Sequence, residues 1–160
     1  MKIGIDYHGV VTANPDFFAQ FSSAALNSGH EILIISGGSK KDVEKYLHEH
    51  NIAYSDIFSL LDYFNAKGLV TFYPDGSFFV QNELWNKAKA KYCLENDIAV
   101  HIDDSMLYGA YFQTPFCLYA PVQQKCTMIK KNVSVNFSQS PQKVFNDIIS
   151  ALKQITPILS

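Results

Sequence analysis

The sequence predicts a doubly wound α/β fold, in which a parallel sheet is covered by helices on both faces. Short apolar runs at 3–5, 31–35 and 98–102 are each followed by a turn. Such near-continuous apolar runs are typical of strands that are buried on both faces. Segments with apolar residues at helical spacing lie between the runs, and strands that alternate with helices form parallel pairs through right-handed crossovers.

The composition indicates one globular domain over residues 1–160. The chain has 48% apolar and 18% charged residues, and 13 basic against 15 acidic side chains give a formal charge of -2. A chain of this length can bury its own core without disulfides or structural metal. Because its longest basic runs are two lysine pairs, the sequence lacks the clustered positive charge that binds the phosphates of nucleic acid. We therefore expect no nucleic-acid partner.

The cysteines and the N-terminal residues favour a cytoplasmic protein. Cys93, Cys117 and Cys126 are odd in number and have no C-x-x-C spacing, so we expect three reduced, mostly buried thiols. Asp6 interrupts the first apolar run too early for a signal-peptide core. No stretch approaches the roughly 18 apolar residues of a membrane span, so we expect no membrane partner. The sequence leaves open whether the chain forms a homo-oligomer.

The first half of the chain reads as strand, helix, strand, helix and strand. Asn14 can cap a helix whose first residue is Pro15, and this helix separates the first two apolar runs. Ser39, followed by Asp42 three residues later, resembles a capping box and predicts a second helix. Residues 52–59 are predicted to form the third strand.

The second half departs from this alternation and then returns to it. Residues 69–81 predict a small β-hairpin, because apolar runs flank a turn that contains Gly76. A helix to about residue 96, a strand at 98–102, a short helix and a strand at 116–120 follow. Ser140 and Pro141 begin the last helix. The segment 127–138 is weakly patterned and receives no predicted element.

Polar residues follow three of the predicted strands. Asp6 follows the first, Ser36-Gly37-Gly38 the second, and Asp103-Asp104 the strand at 98–102. The carboxyl ends of parallel strands meet at one crevice, where ligands bind. Clustered carboxylates repel one another unless a cation lies between them, and all-oxygen ligands suit Mg²⁺. Glycine amides at the start of a helix suit an anion, so the sequence predicts phosphate chemistry.

These motifs, in this order, resemble those of the haloacid dehalogenase-like hydrolases, most of which are Mg²⁺-dependent phosphatases with a Rossmann-like sheet. Residues 3–11, IGIDYHGVV, are similar to the first motif, an apolar strand that ends in D-x-D-G-[TV]. Residues 34–37 resemble the second motif and residues 100–105 the fourth. The third motif is a lysine on the preceding helix. The resemblance covers most of residues 2–120.

The resemblance implies a nucleophile and a metal site. Asp6 would attack phosphorus and form an aspartyl-phosphate, which divides one difficult displacement into two steps. Mg²⁺ would be bound by Asp6, by the main-chain carbonyl of His8 and by Asp103, while Asp104 would orient the metal or its waters. The implied substrate is a phosphorylated molecule that the sequence does not identify.

The resemblance also implies an anion site. Ser36 and the Gly37 amide would hold the phosphoryl oxygens, and a lysine would neutralise the remaining charge. Lys87 and Lys89 point in different directions on one helix. We favour Lys89 as this lysine, because it lies four residues before Cys93 and this arrangement is similar to that in some branches of the family, and Lys87 is the alternative. Trp85 and His101 are predicted to be packing residues of the core.

His8 departs from the family pattern. In the family, the second aspartate of the first motif, which is the usual general acid, occupies this position. Imidazole can carry protons near neutral pH, although a nearby Mg²⁺ disfavours its charged form. The sequence therefore supports two functions: a phosphomonoester hydrolase with His8 as acid and base, and a phosphate- and metal-binding regulatory protein without turnover. A flavodoxin-like nucleotide-binding module fits the sheet but leaves Asp103 and Asp104 unexplained.

We expect an open site without a large cap domain. The predicted first helix takes up most of the roughly thirty residues between Asp6 and Ser36, so an inserted domain does not fit there. The hairpin at 69–81 is too short for a complete cap and is expected near the rim of the site.

Overall fold

The computed structural model describes residues 1–155 as a mixed α/β protein with a mostly parallel central sheet flanked by helices. The strands are β1 (Lys2–Asp6), β2 (Glu31–Ser36), β3 (Asp56–Ser59), β4 (Thr71–Phe72), β5 (Phe78–Phe79), β6 (Ile98–Asp103), β7 (Phe116–Ala120), β8 (Lys125–Met128) and β9 (Val133–Asn136). The helices are α1 (Pro15–Asn27), α2 (Lys40–Glu49), α3 (Leu60–Ala66), α4 (Asn82–Glu95), α5 (Met106–Gly109) and α6 (Pro141–Ile155), with a 3-10 turn at Val11–Ala13.

The central sheet has the strand order β3-β2-β1-β6-β7-β8-β9. The pairs from β3 to β7 are parallel, and β7-β8 and β8-β9 are antiparallel. The direction in which the chain adds strands reverses between β1 and β6, because β2 and β3 lie on one side of β1 and β6 on the other. Ligands of parallel sheets bind outside the carboxyl ends of strands at such a reversal.

Two apolar cores cover the two faces of the sheet. Alternate strand residues face opposite sides, so Ile34 belongs to one core and Ile35 to the other. Helices α1, α2 and α6 cover the first face, where Phe18 and Phe21 are fully buried. Helices α3 and α4 cover the second face, with Phe64 among their buried residues. The sheet is therefore buried on both sides, as the continuous apolar runs indicate.

The antiparallel edge formed by β8 and β9 is absent from the sequence-based prediction, which leaves 127–138 unassigned. Each strand has only four residues, which is too short for a reliable alternation signal in the sequence. The expectation of three reduced thiols is wrong for two of the cysteines, since Cys117 and Cys126 form a disulfide between β7 and β8. Spacing along the chain does not reveal this pair, because antiparallel pairing brings the two cysteines together. Cys93 is a free, buried thiol.

Two further elements, a helix and a hairpin, lie between β3 and α4. Strands β4 and β5 form an antiparallel hairpin inside the predicted segment 69–81. Helix α3 was not predicted; Ser59, the last residue of β3, caps it by accepting a hydrogen bond from the Asp62 amide. Among residues 1–155, no helix is long and apolar enough to cross a membrane.

Candidate active site

The carboxyl ends of β1 and β6 bring three aspartates together. Asp6 is the last residue of β1 and Asp103 the last residue of the adjacent β6. Asp104 follows directly. One carboxylate oxygen from each of Asp6, Asp103 and Asp104 lies within 4.8 Å of the other two. Asp6 and Asp103 are buried, whereas Asp104 is exposed.

Lys89 of α4 connects two of these carboxylates. Its Nζ donates hydrogen bonds of 2.7 Å to Asp6 Oδ1 and to Asp103 Oδ2. Only 3% of the Lys89 side chain is exposed, whereas Lys87 and Lys91 of the same helix are exposed to solvent. Lys87, the alternative candidate, forms an exposed ion pair with Glu83 on the outer side of α4. Of the two lysines, Lys89 is therefore the one that contacts the carboxylates.

Asp103 is held in place by three donors. Besides Lys89, the Ser105 amide donates to Asp103 Oδ1 at 2.9 Å, and His101 Nε2 lies 3.1 Å from Oδ2. The His101 ring is fully buried and stacks on Phe112 with a centroid distance of 5.1 Å. The prediction that His101 packs in the core is confirmed, and its ring also positions Asp103.

The buried charges affect one another's protonation. Burial raises the pKa of Asp6 to about 7, against the opposing effect of the Lys89 charge. Burial also disfavours ionised Asp103, but the His101 hydrogen bond and the Lys89 charge outweigh it and lower the pKa of this carboxyl. Burial opposes the charge of Lys89 as well, yet Asp6 and Asp103 raise its pKa. Asp103 is therefore kept ionised more effectively than Asp6, because the hydrogen bond from His101 adds to the effect of Lys89.

The donor set fits a divalent cation. Three carboxylates and one ammonium leave a charge of about -2 when all four groups are ionised. Carboxylate oxygens have several lone pairs, so the oxygens that accept hydrogen bonds can also bind a hard cation such as Mg²⁺. A cation at this position would also lower the raised pKa of Asp6. Asp6, Asp103 and Asp104 are the side chains that would hold it.

The loop after β2 lies beside this cluster. Ser36 is fully buried, and its Oγ accepts a hydrogen bond of 3.0 Å from the Gly38 amide. Ser59 Oγ donates to the Gly38 carbonyl oxygen at 2.7 Å and so ties the loop to β3. Ser36 thus holds the loop from beneath, and Gly37 is the loop residue that lines the crevice.

The crevice is a cavity of about 330 Å³ with a charged floor and partly aromatic walls. Asp6, Lys89 and Asp104 form the floor, and the Lys89 ammonium lies 4.5 Å from the centre of the Tyr108 ring. The residues that line the cavity are Asp6, His8, Gly9, Gly37, Leu60, Trp85, Lys89, Asp104, Ser105 and Tyr108. Five predicted site residues are therefore among them, while Ser36 and Asp103 support the floor from beneath.

His8 is exposed at the mouth of the cavity and lies close to the glycine loop. Its Cε1 is 3.4 Å from the position that a Cβ on Gly38 would take. Partial burial, together with the charge of Lys89, lowers the pKa of the imidazole, although Asp104 opposes this effect. The neutral ring can accept a proton from a group bound in the cavity.

Gly9 allows the Asp104 carboxylate to approach the main chain. Gly9 has a φ of +77°, and a Cβ at this position would overlap Asp104 Oδ2. Two physical reasons therefore favour glycine at position 9, a left-handed backbone and a close contact with Asp104. Both concern the placement of a candidate metal ligand.

Sequence reasoning missed several residues of the site. Trp85, predicted to be a core residue, is half-buried and lines the cavity, as does Tyr108. Ser59 was not singled out at all. One pattern points to Trp85, because it precedes Lys89 by four residues and residues at this spacing share a helix face. No comparable pattern points to Tyr108 or Ser59.

Comparisons with known proteins add little to this description. No family model and no curated protein matches the chain. Among solved structures, the chain is similar to a glycosyltransferase from Rickettsia africae ESF-5, with a TM-score of 0.40 and 14% sequence identity. The match covers 74% of this chain and 30% of that glycosyltransferase, and similarity at this level carries no functional argument.

Proposed function

We propose that the protein is a Mg²⁺-dependent phosphomonoester hydrolase of the haloacid dehalogenase-like type, with Asp6 as nucleophile. The observation that carries this proposal is the buried contact of Lys89 with both Asp6 and Asp103, 2.7 Å each, beneath an open cavity. Three carboxylates and a buried ammonium, at the ends of adjacent parallel strands, suit a phosphoryl group and its counter-ion. The Rossmann-like arrangement of β3-β2-β1-β6-β7 is consistent with this type.

The residues of the cavity can divide the reaction into two displacements. The Lys89 hydrogen bond engages Asp6 Oδ1, so Oδ2 is available to attack phosphorus. The bond from phosphorus to the ester oxygen breaks, and that oxygen takes the bonding electron pair and a proton from protonated His8. Neutral His8 then removes a proton from a water that attacks the aspartyl-phosphate, which releases phosphate and regenerates Asp6.

The remaining groups hold the transferring phosphoryl group. Lys89 and the Gly37 main chain would bind phosphoryl oxygens. Because the pKa of His8 is lowered, a smaller fraction of the imidazole is protonated near neutral pH, so the protonated form that serves as acid is scarce while the neutral form that serves as base is abundant. Mg²⁺, when bound, supplies positive charge that screens Asp6 from its anionic target. Ser36 and His101 do not touch the substrate in this mechanism, since they position the glycine loop and Asp103.

The test is the hydrolysis of an aryl phosphate by the wild-type protein and two variants, with Mg²⁺ and with EDTA. We expect Mg²⁺-dependent release of phosphate that Asp6→Asn reduces by at least about 10³-fold. The control is Asp97→Asn, which changes an exposed aspartate at the opposite end of β6 and leaves turnover unchanged. Activity of Asp6→Asn close to that of the wild type would exclude the mechanism.

A second candidate function is supported by His8, which replaces the usual carboxylic acid. On this alternative, the protein binds Mg²⁺ and phosphate without turnover. The two functions are distinguished by His8→Asp, which restores an acid at this position. Slow turnover in the wild type, a higher rate in His8→Asp and a changed pH profile would support the hydrolase with His8 as its proton carrier. No turnover in the wild type, together with a higher melting temperature in Mg²⁺ and phosphate, would support the binding protein.

A further inference from the structure

Trp85 and Lys89 present two different chemistries to the same cavity from one face of α4. They are four residues apart, so their side chains lie one above the other along the helix. Lys89 reaches the carboxylates of the floor, while Trp85 forms part of the wall. One helical turn corresponds to about 5.4 Å along the axis. A phosphoryl group at Lys89 would therefore place its ester group beside the indole ring.

The Trp85 ring is held on several sides before any ligand binds. Its Cζ2 atom lies 3.0 Å from the position that a Cβ on Gly37 would take, so the ring edge packs against the glycine loop. Phe64, which is buried, stacks on the indole with a centroid distance of 5.9 Å. Phe78 of the hairpin lies 5.5 Å away. A ring fixed in this way loses little conformational entropy when a second ring stacks on it.

We propose that Trp85 is a specificity-determining residue that stacks on a planar aromatic ring in the leaving group of the substrate. This inference rests on the proposed function, which places the phosphoryl group at Lys89. The substrate class is then the phosphate monoesters of arylmethyl alcohols, in which a single methylene joins the ester oxygen to the ring. Stacked aromatic rings attract each other more strongly than their buried area alone explains. Trp85 would therefore bind a planar aromatic group more tightly than a saturated group of similar size.

The dimensions of the cavity agree with a small ester. Its volume of about 330 Å³ lies at the lower end of the range for ligand pockets, roughly 300–1,000 Å³. The partly exposed rings of Trp85 and Tyr108 contribute the apolar wall, and Tyr108 lies beside the ammonium of Lys89. A compact aromatic alcohol matches this combination of an apolar wall and a charged floor.

The test measures binding without turnover, using two phosphonates that differ only in the ring. The probes are 2-phenylethylphosphonate and 2-cyclohexylethylphosphonate, in which a methylene replaces the ester oxygen, both in the presence of Mg²⁺. Trp85 is the sole tryptophan of the chain, so intrinsic indole fluorescence reports directly on the residue in question. We expect the planar probe to bind about threefold to tenfold more tightly and to change the indole emission.

Variants assign this preference to the indole. Calorimetric titration of Trp85→Leu should give a ratio of the two dissociation constants close to one, and Trp85→Phe should retain part of the preference. The control is Tyr92→Leu, an aromatic residue of the same helix that does not line this cavity and should keep the wild-type ratio. Trp85→Phe keeps a ring against Phe64, so the test does not depend on the folding of Trp85→Leu.

The outcomes separate this inference from the proposed hydrolase. Three outcomes would overturn the role of Trp85. The wild type could bind the two probes with equal affinity, it could bind neither, or the preference could persist in Trp85→Leu. If Asp6-dependent hydrolysis is nevertheless observed, the proposed function stands without it. A preference that Trp85→Leu removes, in a protein that hydrolyses no phosphate ester, would retain the stacking site and reject the hydrolase.

Discussion

The two sides of α4 contain the same kind of interaction in opposite surroundings. On the outer side, Lys87 pairs with Glu83 and Lys91 with Glu95, at i,i+4 spacing and largely exposed to solvent. On the inner side, Lys89 pairs with two carboxylates and only 3% of its side chain is exposed. Three lysines that alternate along five residues therefore experience very different electrostatic environments.

The comparison shows that burial rather than residue type decides what a lysine does. Water and salt screen the outer pairs, and pairs of that kind contribute little to stability. The inner ion cluster is screened much less, so the charge of each member changes the pKa of the others. Such a cluster is costly to disrupt and is suited to binding a further charged ligand.

The largest effect is expected when the inner ammonium is removed. Lys89→Met leaves Asp6 and Asp103 buried without their shared partner, and we expect the free energy of unfolding to fall by about 3–5 kcal/mol. Urea denaturation in EDTA measures this loss, with Lys87→Met as the matched control on the outer side. A similar stability for the two variants would remove the distinction between the two sides of the helix.

A smaller loss of stability is expected from a methyl group placed against the Asp104 carboxylate. Gly9→Ala combines a left-handed backbone with an overlap at the carboxylate, and we expect a loss of about 2–3 kcal/mol. Gly76→Ala, in the hairpin turn, has a similar φ of +85° but no atom within 4 Å of the new Cβ. It should lose only about 1 kcal/mol. Equal losses in thermal unfolding would show that Asp104 is not packed against Gly9.

The pH dependence of stability sharpens the comparison further. Because burial raises the pKa of Asp6 from 3.8 to about 7, the folded metal-free protein keeps a proton that the unfolded chain releases at lower pH. This stabilising contribution is fully present below about pH 3.8 and is lost as the pH rises to about 7. Asp6→Asn has no carboxyl that titrates at this position and cannot lose this contribution, so its free energy of unfolding should increase relative to that of the wild type across this range.

The size of that relative increase should be at least about 1.4 kcal/mol, which corresponds to one pKa unit. Urea denaturation in EDTA at several pH values between 4 and 8 provides the measurement. The control is again Asp97→Asn, whose stability should follow that of the wild type at every pH. Parallel curves for Asp6→Asn and the wild type would mean that Lys89 alone keeps Asp6 ionised.

The smallest effect is expected on the outer side of α4. Lys91→Gln removes one exposed ion pair with Glu95, and the denaturation midpoint should stay within experimental error. In about 1 M NaCl the midpoints of Lys91→Gln and the wild type should still agree, whereas the deficit of Lys89→Met should persist, because salt screens buried charges much less. A deficit of Lys89→Met that also disappears in salt would contradict the burial of the cluster.

The fold was predictable where local pattern and tertiary role agree. The apolar runs that become β1, β2 and β6 are buried on both faces, so their hydrophobicity is visible without knowledge of their neighbours. Asp6 and Asp103 were predictable as neighbours for the same reason, since each ends a parallel strand. Strands β8 and β9 were not, because short antiparallel strands at a sheet edge depend on pairing with residues elsewhere.

The sequence by itself determined the alternation of strands and helices and the convergence of Asp6, Asp103 and Asp104, since hydrophobic period is a local property and strands joined through helices pair in parallel. Only the tertiary structure decided between Lys87 and Lys89, paired Cys117 with Cys126 and turned Trp85 towards the cavity. These outcomes depend on the angle at which a helix or strand meets the rest of the molecule, which no local pattern encodes. The cluster of carboxylates was therefore predictable from the sequence, while the side chains that surround it were decided by packing.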